Sequence, residues 1–321
     1  MATLQRGSRG PDVTRAEVRL KELGLYKGGM DDVFGGGLET AVKAFQQQKG
    51  MPATGAVDDA TRAALYADPS PALAAVKGKP LGFRCLALTA GFETGSASPD
   101  CFCGLAGSFD QQGISFGVLQ WNLGQGTLQP LLSKLNKEHP QVVKTAFGDS
   151  YDAFTEMLGK GQKDQMAWAN TVQGADHRVR DPWKSAFKAL GRTPECQDAQ
   201  VAGAADRFQT ALRMCADYGL FSERGAALMF DIVVQNGSIK QETRALIMGD
   251  FNGIPAGLSR EDQELARMRI IAKRRAAAAK AAFQADVLSR KLTCAEGAGV
   301  VHGIGYDLER QFDLKLASMQ V

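Results

Sequence analysis

The stretch Ala90-Gly-Phe-Glu-Thr-Gly95, followed by Phe109-Asp-Gln-Gln-Gly-Ile-Ser-Phe-Gly-Val-Leu-Gln-Trp-Asn122, sets two carboxylates beside a polar, glycine-bearing strand. Hydrolysis of a glycosidic bond needs one carboxylic acid to protonate the leaving oxygen. It needs a second carboxylate to activate water or to stabilise the oxocarbenium-like transition state. Glu93 and Asp110 are candidates for these roles. Glu93 follows the mostly apolar run 86–92, so burial is expected to raise its pKa towards that of a general acid. Asp110 lies near Ser108, Gln111 and Gln112, a polar setting that should leave it ionised. Ser115 carries a hydroxyl placed to hold the attacking water, and Gly113 and Gly117 are expected to clear side-chain bulk where a sugar chain approaches the backbone.

Outward from this stretch, residues 4–65 carry a second pattern. Leu4-Gln-Arg-Gly-Ser-Arg-Gly-Pro-Asp-Val13, Leu20 to Gly28, Asp31-Asp-Val-Phe-Gly35, Thr40-Ala-Val-Lys-Ala-Phe-Gln46 and Thr54-Gly-Ala-Val-Asp58 follow in order. Pro11 and Asp12 open a helix whose apolar positions Val13, Ala16, Leu20 and Leu23 keep a helical period, and Gly24 closes it. A second helix carries Ala41, Val42, Ala44 and Phe45. A third starts near Asp58 with Ala60, Ala63, Ala64 and Leu65.

Residues 4–65 resemble the three-helix peptidoglycan-binding module found at the ends of many cell-wall hydrolases. Asp32 stands where that family's Asp-Gly-x-Phe-Gly turn has glycine. The stretch 90–122 resembles the catalytic hairpin of the lysozyme-like superfamily, above all its chitosanase-type members, where a helix-borne Glu precedes Asp-x-x-Gly-x-Thr/Ser-x-Gly. That resemblance implies Glu93 as general acid, Asp110 as base and Ser115 as the water-positioning hydroxyl, with Ser in place of Thr. Gly117-Val-Leu-Gln120 is similar to the Gly-Leu-Met-Gln element of lytic transglycosylases and goose-type lysozymes, which implies that Gln120 faces substrate. Asn236, in Val234-Gln-Asn-Gly237, resembles the Asn of their later Tyr-Asn motif. Asn122 and Gln125, in a loop whose amides are expected to contact sugars, complete the substrate-binding set.

The expected fold is mainly α: an N-terminal three-helix peptidoglycan-binding module over 1–68, a semi-rigid linker over 69–80, and an α+β lysozyme-like catalytic domain over 81–321 with one small β-hairpin or sheet. The 321 residues suffice for two cores. Helices are expected from Thr127, over Asp152 to Leu158, Ala199 to Tyr218, Glu223 to Val234 and Arg260 to Arg290, with Ala202, Ala205, Phe208, Ala211, Leu212 and Cys215 on one core face. The glycine-rich tail 297–309 reads as a surface loop. The expected activity is that of an inverting N-acetylmuramidase, cutting the β-1,4 bond of the glycan backbone without metal or cofactor. A lytic transglycosylase using Glu93 alone, a chitosanase and a non-catalytic wall-binding structural protein are the rivals.

Lys and Arg total 38 against 35 acidic residues, a net charge of +3, too weak to argue for nucleic acid. The most basic stretch, Arg267 to Arg290, reads as a solvated helix face. His139, His177 and His302 are scattered and form no metal-binding pair, which argues against a zinc amidase. Cys85, Cys101, Cys103, Cys196, Cys215 and Cys294 permit disulfides after delivery to an oxidising compartment, with connectivity open. None sits in a nucleophile motif, which disfavours a Cys-His peptidase. No apolar run is long enough to span a membrane and the N-terminus has no signal-like apolar core. The expectation is cytoplasmic synthesis, action on the wall after phage lysis or specialised secretion, a monomeric state, and an inhibitor or immunity protein if the chain is a secreted effector.

Overall fold

The computed structural model describes residues 2–29, 31–67 and 71–319. It is mainly helical, with one three-stranded and one two-stranded antiparallel sheet. The chain divides into two compact units, Met1–Leu81 with Ala211–Val321, and Gly82–Thr210.

The first unit opens with the expected three helices, Pro11–Glu22, Gly36–Gln48 and Asp59–Leu65. Pro11 occupies the first turn, where its missing N–H costs nothing, and Gly24 at φ +73° ends the segment. Val13, Ala16, Leu20, Phe34, Leu38, Ala41, Val42, Phe45, Val57 and Leu65 share one core. Leu23 is 38% exposed, because the helix stops at Glu22 and the apolar stripe stops with it. Ala60 and Ala63 are also exposed. Gln46 staples the module: its buried amide donates to Thr54 Oγ1, the Ala56 carbonyl and Thr61 Oγ1, each at 2.9 Å, and accepts from the Gly55 N–H at 2.9 Å. Asp58 caps the third helix by accepting from the Thr61 N–H at 2.7 Å.

Asp32 adopts φ 61°, the left-handed conformation that glycine would take without strain. Facing this turn, Glu17 is wholly buried, and burial together with the neighbouring Asp31 carboxylate pushes it up to about 7. A carboxyl raised in the folded state binds its proton more tightly there than in the unfolded chain, so stability falls as pH rises from about 4.5 to about 7. Glu17→Gln is therefore expected to raise the thermal midpoint by a few degrees at pH 8 and to change it little at pH 4.5. Thermal scans at the two pH values check this; an equal shift at both would remove the titration account.

The second unit begins with helix Leu81–Thr94 and continues through three short strands, β1 (Leu105–Ala106), β2 (Ser115–Phe116) and β3 (Trp121–Asn122). Helices Leu128–Glu138, Pro140–Phe147, Tyr151–Leu158, Gln162–Thr171, Trp183–Gly191 and Pro194–Gly203 follow. Ile114, Phe116 and Leu123 from the sheet region join Leu128, Leu132, Phe147, Phe154, Phe187 and Leu190 in one core. The rings of Phe147 and Phe154 stack at 3.9 Å. The helix expected over 199–218 is two helices, broken at Ala204; Ala202 and Ala205 are exposed and Ala211 and Cys215 buried.

The chain then returns to the first unit through helices Glu223–Asn236, Gln241–Phe251, Arg260–Ala277 and Gln284–Glu296. The single helix expected over 260–290 is interrupted after Ala277 by a turn and a short 3-10 segment. The glycine-rich tail is not a loop. Ala298–Val301 (β4) and Ile304–Asp307 (β5) pair as a hairpin, turned by His302 and Gly303 at positive φ, and helix Leu308–Phe312 follows.

This return redraws the expected boundaries of 1–68, 69–80 and 81–321. Arg15 of the module donates to Asp307 Oδ2 at 3.0 Å and Glu309 Oε2 at 3.1 Å. Glu22 accepts from Gln311 at 3.0 Å and lies 3.4 Å from Arg310. Residues 211–321 thus group with the module. Within the expected linker, 68–70 lie outside the described residues and Pro71–Val76 is helical.

The helix Glu223–Asn236 buries Asp231 completely. Its carboxylate accepts from Arg290 at 2.6 and 3.3 Å and from Lys291, whose ammonium also donates to Gln235 Oε1 at 2.6 Å. Burial alone would raise Asp231, but Lys291 and Arg290 hold it below the ordinary carboxylate range.

Candidate active site

Helix Leu81–Thr94 buries Phe83, Cys85 to Ala90 and Phe92. It ends at Gly95, φ +67°, whose N–H donates to the Gly91 carbonyl at 2.8 Å. Glu93 sits in this last turn and is exposed, not buried as expected from the apolar run before it. Phe92 takes the core-facing direction, and one residue of helical rotation carries Glu93 to the surface.

The three strands pair in the order β1-β2-β3, with Ser115 opposite Ala106 on one side and Asn122 on the other. Ser115 is half-buried on the central strand. Asp110 lies in the loop between β1 and β2 and is exposed. Its Oδ1 accepts from the Gln112 N–H at 3.1 Å, while Gln111 takes φ 62°. The second carboxylate oxygen has no hydrogen-bond partner among the described residues. Ser108, buried at the base of the loop, donates its N–H to Gln173 Oε1 at 2.9 Å and accepts from the Gly113 N–H at 3.1 Å. These bonds fix the loop that carries Asp110.

Gly113 and Gly117 meet protein rather than open space. A Cβ on Gly113 would come within 2.8 Å of Met166 Sδ, and one on Gly117 within 2.7 Å of Gln200 Oε1 and 3.0 Å of the Trp121 ring. Both have φ above +70°. Their requirement is internal packing and turn geometry, not the passage of a sugar. Gln200 is wholly buried and ties the turn down, accepting from the Val118 N–H at 2.9 Å and donating to the Phe102 carbonyl at 3.1 Å.

Among the expected substrate-binding residues, Gln120 is exposed at φ 52° and donates to the Gly117 carbonyl at 2.8 Å. Asn122 is buried, and its Oδ1 accepts from the Gln125 N–H at 2.7 Å. The amides of Leu123, Gly124 and Gly126 also have internal acceptors, so this loop does not offer free N–H groups to a sugar. The Gln125 side chain is exposed beside them. Asn236 belongs to the other unit, where its Oδ1 accepts from Arg275. Phe109, which carries no role in the sequence pattern, is 64% exposed next to Asp110, with its ring 5.6 Å from that of His177. An aromatic face at a hairpin tip suits stacking on a sugar ring.

All six cysteines are buried as thiols rather than joined in disulfides. Burial pushes Cys103 up to about 11, and Cys196, Cys215 and Cys294 up to about 12; Cys101 moves in the same direction. These five thiols are held protonated, the opposite of what a nucleophile needs. The described residues hold no group of His, Cys, Asp and Glu suited to a metal ion, and none of their helices is long and apolar enough to cross a membrane.

Residues 9–65 match the family described as "Putative peptidoglycan binding domain". The spore cortex-lytic enzyme of Bacillus cereus is 40% identical over 62 residues, 19% of this chain and 24% of that enzyme. The matched segment thus spans about a quarter of that relative's length. Among solved structures, native chitosanase from Bacillus subtilis aligns with 15% identity and a TM-score of 0.42, over 71% of this chain and 97% of its own. A GH46 chitosanase of Gynuella sunshinyii with chitotetraose aligns at 13% identity and a TM-score of 0.40, over 67% and 87%. Likeness at that level is loose. The N-terminal module is where the relationship to known proteins is specific.

Proposed function

We propose that the chain is a modular peptidoglycan hydrolase of lysozyme-like architecture, an N-acetylmuramidase that cleaves the β-1,4 bond of the glycan backbone with inversion. The observation that carries this reading is the fixed loop of Asp110, open at one carboxylate oxygen, on the same small sheet as Ser115 and in the same unit as the helix ending at Glu93. Glu93 protonates the glycosidic oxygen, and Asp110 deprotonates a water lodged against the Ser115 hydroxyl. Substrate covering the exposed Glu93 would supply the desolvation that the free protein lacks. Gln120, Gln125 and Phe109 contact the glycan, while Asn122 shapes the loop from within. The peptidoglycan-binding module raises the local concentration of the polymer.

Digestion of purified peptidoglycan, followed by borohydride reduction and mass spectrometry of the soluble products, tests the proposal. Reducible muramic acid ends are the expected outcome. Predominance of 1,6-anhydro ends would replace it with a lytic transglycosylase in which Glu93 acts alone. Release of chitosan oligomers without action on peptidoglycan would replace it with a chitosanase.

A further inference from the structure

The unit formed by 1–81 and 211–321 contains a cavity of about 550 Å³ around Asn236, Lys240, Arg275, Lys280, Phe283 and Asp286. It lies in the basic stretch that reads from sequence as a solvated face, and the structure sorts those cations. Arg269 is bidentate to Glu296 at 2.6 and 2.7 Å, Arg274 to Asp250 at 2.5 and 2.7 Å, and Arg290 to Asp231. Arg267 caps the Gly219 carbonyl at 2.8 Å.

The Arg267 Nε also lacks an acceptor among the described residues, but of these cations Arg275 is the one that is buried without a carboxylate. It is only 6% exposed, it donates one N–H to Asn236 Oδ1, and its buried Nε has no acceptor among the described residues. Burial holds its guanidinium below the ordinary range, with only Tyr218 acting the other way and no carboxylate beside it. A buried, uncompensated guanidinium with an unused N–H is costly to keep unless an anion completes it. Lys240 and Lys280 are exposed and have no carboxylate partner among the described residues. The one acid lining the cavity, Asp286, lies 2.5 Å from His302 Nε2. Phe283, 57% exposed, adds an apolar wall.

We propose that this cavity recognises a carboxylate of the peptide stem of peptidoglycan. Arg275 is the anchor, Asn236 fixes its orientation, and Lys240 and Lys280 supply charge at the rim. The inference rests on the reading of the chain as a peptidoglycan hydrolase. A guanidinium at the cavity wall with no carboxylate of its own favours a planar, two-oxygen anion such as a carboxylate. The volume suits a segment of peptide rather than a lone ion. The neutral amino sugars of the glycan have no comparable group, whereas each stem peptide ends in free carboxylates.

The full chain is titrated calorimetrically with a free L-Ala-γ-D-Glu-diaminopimelate-D-Ala tetrapeptide, with the same peptide amidated at its carboxylates, and with inorganic phosphate. The native peptide is expected to bind, the amidated one to bind at least about tenfold more weakly, and phosphate not to compete. Lys240→Ala with Lys280→Ala, both on the surface and outside the catalytic set, should weaken the peptide about tenfold, and Arg275→Gln further. Equal binding of the amidated peptide, or no effect of the double lysine variant, would overturn the proposal. Competition by phosphate would overturn it in favour of a general anion site. This binding is read without turnover, so a protein that binds the peptide but releases no reducing ends would refute the muramidase reading and leave the site standing.

Discussion

Glu93→Gln is expected to lower the rate of peptidoglycan solubilisation by about three orders of magnitude, within the range seen for loss of a general acid. The amide keeps the size and position of the carboxyl and removes only the proton it can donate. Glu93 lies on the exposed side of the last turn of its helix, away from buried Ala90 and Phe92, so the substitution should leave the fold intact. The binding module, with its own core, is untouched. Sedimentation with purified sacculi should therefore match the unaltered protein while turbidity stays constant. A Glu93→Gln protein that clears sacculi at the original rate would remove Glu93 from the mechanism. An equal loss in Asp110→Asn would distinguish the two-carboxylate reading from one in which Glu93 serves as acid and then base.

Asp231→Ala is expected to destabilise the protein by about 3–5 kcal/mol, because it leaves two buried cations without their counter-charge. Arg290 and Lys291 are 2% and 0% exposed, so neither reaches water without local unfolding. Guanidinium unfolding followed by circular dichroism reads the effect as a lowered midpoint at unchanged slope. Asp231 lies below its ordinary pKa, so its contribution is present above the unfolded-state value and is lost as pH falls through the folded one. The gap between the two proteins should thus narrow in strong acid. A loss below about 1 kcal/mol would mean that the cations relax into solvent.

Legibility in the sequence differed by the range of the interactions involved. The N-terminal module was readable because its signals are local: Pro11 at a helix start, Asp58 three residues before the N–H it caps, and an apolar period through Val13, Ala16 and Leu20. The hairpin was readable as a pattern, with Asp110 exposed and Ser115 on a strand. What holds it was not, since Gln200 acts from 82 residues away. Gly113 and Gly117 gave a true signal with an unforeseen cause, the crowding by Met166 and Gln200. Apolar spacing before Glu93 suggested burial, but it could not show which way the last helical turn faces. The break after Ala277 falls in alanine-rich sequence without proline, where propensity favours continuation, whereas the break at Ala204 follows Gly203, a weak helix former. Arg275 was hidden among equivalent-looking cations; only the pairing of its neighbours sets it apart.

The pairing of Arg15 with Asp307 and Glu309 has a consequence for how the molecule can come apart. Residues 82–210 are an insertion in a body that the chain leaves once and re-enters once, so they are attached at both ends. A protease nick at exposed Lys77 or Gly78 would sever one attachment and free neither part, because the polypeptide still runs on from 210 to 211 and the N-terminal module remains ion-paired to the C-terminal hairpin. In a compartment rich in proteases, such a clipped chain would keep its polymer-holding module bound to the same molecule as its candidate catalytic residues, where a module strung on a single linker would be lost.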